Sequence, residues 1–94
     1  MNKYETVFIL NAELSEEKRN NAISKIKKYI TDNGEIIREE DLGVKRLAYE
    51  IKKQNRGYYY VIYFMLDAKN IAELERLYRI ADEVLKFIVV KMED

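Results

Sequence analysis

Residues 56–64 read RGYYYVIYF, and this stretch of nine positions holds five aromatic residues. Aromatic and β-branched side chains at this density indicate a β-strand. Alternate side chains of a strand point to opposite faces, so the even-numbered residues of 58–66 share one face and the odd-numbered residues share the other. The even-numbered face carries Ile62 and Phe64 and is the more apolar of the two. We therefore expect the even-numbered tyrosines to face the hydrophobic core.

The rest of the chain alternates between strand and helix patterns in the order strand, helix, strand, strand, helix, strand. Apolar residues at helical spacing mark the helices, and runs of β-branched and aromatic residues mark the strands. The predicted elements, in chain order, are a strand over 4–10, a helix from the N-cap Ser15 to Gly34, a strand over 35–51 with a bend or bulge at 41–43, a hairpin loop over 53–57, the tyrosine-rich strand to Leu66, a helix after the N-cap Asn70 and a strand over 85–92. No proline or linker composition divides the chain, so residues 1–94 are predicted to form a single domain.

This order of elements predicts an α+β fold. Right-handed crossovers would make each half of the chain a split βαβ unit. The two units would interleave into a four-stranded antiparallel sheet with both helices on one face, which is the ferredoxin-like sandwich. The opposite face of the sheet would be open, with apolar side chains of the first and last strands on it. We interpret this apolar surface as a binding site for a partner protein, formed by Val7, Ile9, Ile88 and Val90. The alternatives are a contact between copies of this chain and ordinary burial of these residues by a local loop.

The composition limits the chemistry that the chain can perform. It has no His and no Cys, which removes the commonest general base, the thiolate nucleophile and most transition-metal ligands. No catalytic spacing and no glycine-rich phosphate loop is present, so we expect neither an enzyme nor a bound metal or cofactor. The same absences argue against an oligomeric enzyme or small-molecule sensor that uses the open face as a pocket. The lack of an apolar run of membrane-spanning length predicts a cytosolic protein.

The charges of the chain cancel, with 17 basic and 17 acidic residues. This balance argues against a domain that binds nucleic acid through its overall charge, because such domains are usually basic. The charge is nevertheless unevenly distributed, since residues 44–56 hold five basic residues against the single acidic Glu50. A site for a polyanion would therefore be a local patch that is assisted by a partner.

Residues 56–63 resemble a signature of the RNA-recognition-motif domain, which shares this order of elements. The match fails only at Tyr59, where that signature has Gly or Ala. This alternative predicts an autonomous binder of single-stranded RNA, in which Phe8, Tyr58 and Tyr60 face outward and stack on bases. The alternation of the strand argues against it, because a core formed by the even-numbered residues turns the two tyrosines inward. A β-bulge would reverse that direction.

A second resemblance extends over nearly the whole chain. It rests on the run LGVKRLAYEI over 42–51 and on four shorter pieces, Tyr4–Glu5, Gly57–Tyr58, Leu66 and FIVVK over 87–91. These pieces resemble the bacterial small-subunit (30S) ribosomal protein six family, although Glu50 stands where many members have proline. The resemblance implies the ferredoxin-like fold, a structural role without catalysis or cofactor, and a location on the cytoplasmic ribosome. It also implies two partners, the central domain of 16S ribosomal RNA and ribosomal protein eighteen.

The resemblance places the start of the first strand and the end of the last strand near the RNA. A net charge of zero fits a protein that gains its RNA affinity from a basic partner. The residues predicted to contact RNA are Lys3, Tyr4, Lys86 and Lys91 from these strands and Lys45, Arg46 and Arg56 from the basic segment. For each of them the alternative is a solvated side chain or an ion pair with Glu40 or Glu50.

Overall fold

The computed structural model describes residues 1–93, so Asp94, the last residue of the predicted domain, lies outside the described residues. The described elements are β1 (Asn2–Asn11), α1 (Glu16–Asn33), β2 (Glu35–Ile51), β3 (Gln54–Leu66), a 3-10 turn (Ala68–Asn70), α2 (Ile71–Ile80) and β4 (Val84–Met92). The strands form one antiparallel sheet in the order β2-β3-β1-β4. The predicted ferredoxin-like order of elements is confirmed.

Both helices pack on one side of the sheet, which we call the helix face, and the other side is the open face. The core on the helix face consists of buried apolar side chains from both layers. The helices contribute Ala22, Ile23, Ile26, Ile30, Leu74 and Tyr78, and the strands contribute Tyr4, Phe8, Leu10, Tyr60, Ile62, Phe64 and Leu66. The even-numbered residues of β3 face the core, as their alternation predicts, and the odd-numbered residues point to the open face.

A buried chain of hydrogen bonds fastens α2 to the sheet. Thr6 is fully buried, and its Oγ1 donates to the carbonyl oxygen of Ile88 at 2.8 Å. The same Oγ1 lies 2.9 Å from the hydroxyl of Tyr78 on α2. Because the Thr6 hydrogen is directed to Ile88, Tyr78 donates to Thr6. The chain connects α2, β1 and β4 and satisfies polar groups that the core buries.

The predicted boundaries of α1 are confirmed. Glycine is required at position 34 because the site has no room for a side chain, and not because the backbone adopts a positive φ. Ser15 Oγ accepts a hydrogen bond of 3.2 Å from the backbone N–H of Lys18, which is the expected N-cap contact. Gly34 has an extended backbone with φ of −162°. A Cβ atom at this position would lie 2.0 Å from the carbonyl oxygen of Met65, so only glycine lets the chain pass this close to β3.

The predicted bulge of β2 is also confirmed. Gly43 has φ of 73°, a left-handed conformation that favours glycine. The pairing with β3 shifts between Asp41 and Gly43, and the Gly43 N–H donates to Asp41 Oδ1 at 3.1 Å. This bulge bends the edge strand β2 at the point where the sequence predicts a bend.

The predicted hairpin loop over 53–57 is wrong. The connection is a two-residue turn in which Lys52 and Lys53 have φ of 49° and 65°, and Gln54 already pairs with Ile51. Two-residue turns with positive φ at both positions usually contain Asn-Gly, so two lysines give no sequence signal for such a turn. Of the two basic residues in the predicted loop, Lys53 lies in the turn, whereas Arg56 is held on a paired strand opposite Arg46.

The second helix begins directly after Asn70, as predicted, but Asn70 does not cap it. Asn70 has helical backbone dihedral angles and its side chain makes no capping hydrogen bond. The chain enters α2 through the 3-10 turn Ala68–Asn70, which places Asn70 inside the turn and not before it. Glu73, three residues after Asn70, pairs with Arg76 Nε at 2.7 Å and does not reach back to Asn70.

Beyond the bulge, β2 and β3 form a two-stranded hairpin over residues 44–57, which we call the hairpin arm, and their register shifts again between Arg46 and Ile51. Its Leu47 is buried and packs with Ile9 and Leu85 in a second, small core. Gly57 pairs with Asn11 at the end of β1, and a Cβ atom at this position would lie 2.2 Å from Cγ2 of Ile9. The arm therefore folds over one end of the open face, and Gly57 makes this close approach possible.

Candidate RNA and partner interface

The structure separates the residues predicted to contact RNA into two groups at opposite ends of the sheet. Lys3, Tyr4 and Lys91 lie at one end, which we call the terminal end, and Lys45, Arg46, Arg56 and Lys86 lie at the other, the arm end. Lys86 pairs with Ile9, which is six positions from Lys3 along β1. At about 3.3 Å per residue, six positions span roughly 20 Å. The candidate RNA site is therefore two separate groups of cations.

Of the three candidate residues at the terminal end, only Lys3 and Lys91 are available to a ligand. Lys3 and Lys91 line a shallow depression together with Met1 and other residues of both strand ends. Tyr4, in contrast, is 6% exposed, and its ring stacks on Phe64 with the ring centroids 5.5 Å apart. A ring held in the core presents no face to an RNA base, so we assign Tyr4 to the core.

At the arm end, two arginines face each other and one lysine is anchored. Arg46 and Arg56 are direct cross-strand neighbours, and both are exposed. Lys86 Nζ donates to the Tyr49 hydroxyl at 2.8 Å, and this hydrogen bond raises the pKa of Lys86. Sequence reasoning missed Tyr49, because it lies where the register of β2 and β3 shifts and strand alternation does not predict its direction.

The ion-pair alternative is wrong for these cations. Glu40 pairs with Arg38 at 3.2 Å, and the other salt bridges of residues 1–93 also involve different cations. None of the described carboxylates, Glu50 included, forms a salt bridge with Lys3, Lys45, Arg46, Arg56, Lys86 or Lys91. Apart from Lys86, which is held by Tyr49, these cations have no side-chain partner among the described residues and are available to a polyanion.

The aromatic residues of the RNA-recognition-motif alternative face the helices. Phe8 is fully buried and Tyr60 is 9% exposed. The guanidinium group of Arg19 lies 4.4 Å from the ring centroid of Tyr58 and covers that ring, while the Tyr58 hydroxyl donates to Asp41 at 2.6 Å. Stacking on bases needs free ring faces on the open side of the sheet. The stacking role predicted by this alternative is therefore wrong.

The inward-facing tyrosines belong to a polar network that joins α1 to the edge strand β2. Glu39 of β2 accepts a hydrogen bond from the Tyr60 hydroxyl and pairs with Lys27 Nζ of α1 at 3.0 Å. Partial burial alone would raise the pKa of Glu39, but the hydrogen bonds from Tyr60 and Lys27 outweigh it and lower the pKa. Burial and the bond to Glu39 raise the pKa of Tyr60. The side chains of Tyr60, Glu39 and Lys27 therefore hold α1 against β2, and we do not include them in the candidate RNA and partner interface.

The open face carries an exposed apolar strip between the two groups of cations. Val7 and Ile88 are cross-strand neighbours, and Val90 follows on the same face beside Glu5. Ile88 is 48% exposed, Val90 is 47% exposed and Val7 is half-buried. Ile9 is buried beneath the hairpin arm, so its predicted contact with a partner is wrong. The apolar strip therefore consists of Val7, Ile88 and Val90.

These features define a class of protein. The candidate residues lie on exposed strands, and across residues 1–93 no group of three or more His, Cys, Asp or Glu side chains is placed to hold a metal ion. No helix among the described residues is long and apolar enough to cross a membrane. A ferredoxin-like sandwich with an exposed apolar strip on its open face is the class of domain that binds other molecules through a sheet surface.

Comparison with known proteins identifies the family. A sequence model described as Ribosomal protein S6 matches residues 3–91. The small ribosomal subunit protein bS6 of Helicobacter acinonychis is 52% identical over 99% of this chain and 66% of its own length, and that of a Nitratiruptor strain is 46% identical over 99% and 73%. The crystal structure of 30S ribosomal protein S6 from Thermotoga maritima is 39% identical, with a TM-score of 0.92 over 97% of this chain and 87% of that chain.

The chain belongs to the ribosomal protein S6 family, as the sequence resemblance predicts. It is therefore a ribosomal protein and not an enzyme. The chain spans about two thirds of the length of the Helicobacter relative and about three quarters of that of the Nitratiruptor relative.

Proposed function

We propose that this chain is a structural component of the small (30S) subunit of the cytoplasmic ribosome and binds 16S ribosomal RNA together with ribosomal protein eighteen. Its similarity to small-subunit proteins of other bacteria supports a place in this assembly. The resemblance described above suggests the central domain of the RNA and the identity of the partner. One observation carries the proposal: an exposed apolar strip lies between two groups of cations that have no carboxylate partners among the described residues.

Binding to RNA in this account depends on local charge. The net charge of zero provides no overall attraction to a polyanion, so the few free cations at the two ends of the sheet must supply the contacts. Each phosphate contact adds affinity by releasing counterions, and a small number of such contacts gives modest affinity. A basic partner would add cations to the same surface and raise the affinity of the complex above that of either protein.

The open face suits a basic partner. Glu5 lies on this face beside Val90, is half-buried, and forms no salt bridge within residues 1–93. A carboxylate that loses further solvent in an interface is costly unless a cation pairs with it. A basic protein docked on the apolar strip would bury Ile88 and Val90 and bring a cation to Glu5. We therefore place ribosomal protein eighteen on this strip.

Substitution of Ile88 tests the proposed partner site. We expect Ile88→Glu to weaken binding to ribosomal protein eighteen about tenfold or more, because it places a charge at the centre of an apolar contact. The matched control is Ile80→Glu, since Ile80 is 60% exposed at the end of α2 and away from the strip. Titration calorimetry with purified proteins gives both affinities. Equal affinities of the two variants would contradict the placement of the partner on the open face.

A further inference from the structure

The hairpin arm has one packed side and one free side. Leu47 packs inward with Ile9, and Ile51 packs against the same small core. Arg56 has the same strand parity as Tyr58, which faces the helices, so Arg56 and its paired neighbour Arg46 point away from this core, which lies on the open face. Arg56 pairs with Arg46 in the sheet register and projects on the same side. The packed side holds the arm on the sheet, and the free side presents two guanidinium groups to solvent.

The Arg46–Arg56 pair is unfavourable in the free protein. Side chains directly opposite each other in an antiparallel pair have Cβ atoms about 4.5–5.5 Å apart, and like charges at this distance are destabilising. Neither arginine forms a salt bridge with a described carboxylate. The repulsion therefore has no ion pair within residues 1–93 to offset it, so a bound anion would relieve it.

The turn of the arm also holds positively charged residues in an unfavourable arrangement. Lys52 and Lys53 occupy positions with positive φ, where glycine or asparagine would be less strained. Lys52 Nζ donates to the carbonyl oxygen of Val84 at 3.2 Å, which ties the tip of the arm to β4. Lys53 is exposed and adds a further cation beside the arginine pair.

We propose that Arg46 and Arg56 form a clamp for one phosphate group of the RNA backbone. The proposal rests on the function proposed above and adds to it a specific contact at the arm end. The planar fork of a guanidinium group matches the oxygen atoms of a phosphate, and two forks can share one phosphate between them. An anion between the arginines replaces their repulsion by two attractions. Because the clamp reads phosphate and not base edges, it positions the RNA without selecting its sequence.

The clamp predicts opposite effects of one substitution on stability and on binding. In Arg56→Gln or Arg46→Gln, removal of one charge relieves the repulsion, so the melting temperature of the free protein should rise by about 1–4 °C. The same substitution removes a phosphate contact, so the complex with ribosomal protein eighteen should bind a central-domain 16S ribosomal RNA fragment about tenfold more weakly at low salt. A plot of log association constant against log salt concentration has a negative slope, and the magnitude of this slope should decrease by about one.

The experiment compares these variants with Lys25→Gln, which removes one exposed positive charge from the outer side of α1. This control should bind RNA within about twofold of the unsubstituted protein, as expected for a charge outside the contact surface. Affinity for ribosomal protein eighteen is measured in parallel and should be unchanged in the arginine variants. Arg56→Lys should keep the positive charge but lose the bidentate contact, so this variant should bind RNA more weakly than the unsubstituted protein.

The outcomes separate this proposal from the proposed function. RNA binding by the unsubstituted pair of proteins together with equal binding by the arginine variants would overturn the clamp and leave the proposed function intact. Loss of affinity for ribosomal protein eighteen in the arginine variants would also overturn it, because the arm would then be a protein contact. Failure of the unsubstituted pair to bind the RNA fragment would overturn the proposed function and the clamp with it.

Discussion

Single glycine residues determine which of the residues predicted to bind a partner remain exposed. Gly57 allows the hairpin arm to pass within contact distance of Ile9, and Gly34 allows the end of α1 to pass beside the backbone of Met65. Both glycines are needed for space, whereas Gly43 has the positive φ that a glycine usually signals. A close approach depends on a neighbour that is distant in the sequence. For this reason the sequence could not reveal that the arm buries Ile9.

Glu39 gives the fold a pH-dependent contribution that belongs to a single residue. Its contacts with Tyr60 and Lys27 lower its pKa in the folded protein, so the folded state binds this proton less tightly than the unfolded chain. The contribution is complete above the ordinary carboxyl pKa of about 4.3 and is lost as the pH falls through the lowered folded value. We expect the free energy of unfolding to fall more steeply below about pH 5 in the unsubstituted protein than in Glu39→Gln.

Denaturant unfolding at a series of pH values measures this difference. Tyr60→Phe removes one of the hydrogen-bond donors to Glu39 and should give an intermediate pH dependence. Identical pH profiles for Glu39→Gln and the unsubstituted protein would show that the contact does not stabilise the ionised carboxylate.

The hairpin arm is the element that most changes the interpretation of the sequence. The strand pattern of β2 and β3 and the bulge at Gly43 are predictable from composition and alternation. The turn is not, because Lys52 and Lys53 are not the residues that a two-residue turn favours. The structure therefore places Arg56 on a paired strand opposite Arg46, and not in a loop. The strand register places the two arginines opposite each other. The sequence did not predict this pairing, because the predicted loop over 53–57 was too long.

The strain in this turn can be measured at Lys53. We expect Lys53→Gly to raise the free energy of unfolding by about 0.5–1 kcal/mol, because relief of the positive-φ penalty exceeds the entropic cost of glycine. Lys53→Ala removes the same charge but keeps the Cβ atom, so it should leave the stability nearly unchanged. Chemical denaturation of both variants provides the comparison. A glycine variant no more stable than the alanine variant would show that the turn is not strained at this position.

At the scale of the whole molecule, the order of elements and the parity of β3 are sufficient to predict the ferredoxin-like fold, because each side of the sheet has its own apolar set. The division of the candidate RNA residues between the two ends of the sheet is a property of the folded chain. Lys3 and Lys86 lie on antiparallel strands, and their separation depends on the register of β1 and β4. The resulting surface has an apolar strip with free cations at both ends, on a protein without net charge.

Such a surface requires a partner for tight binding to RNA. The most direct test is a titration of a central-domain 16S ribosomal RNA fragment with this protein, with and without ribosomal protein eighteen, at two salt concentrations. We predict tight binding only when both proteins are present, and weaker binding of the pair at the higher salt concentration, because the contacts are made to phosphates. Equally tight binding by this protein alone would contradict the account, since its own cations would then suffice without a partner on the open face.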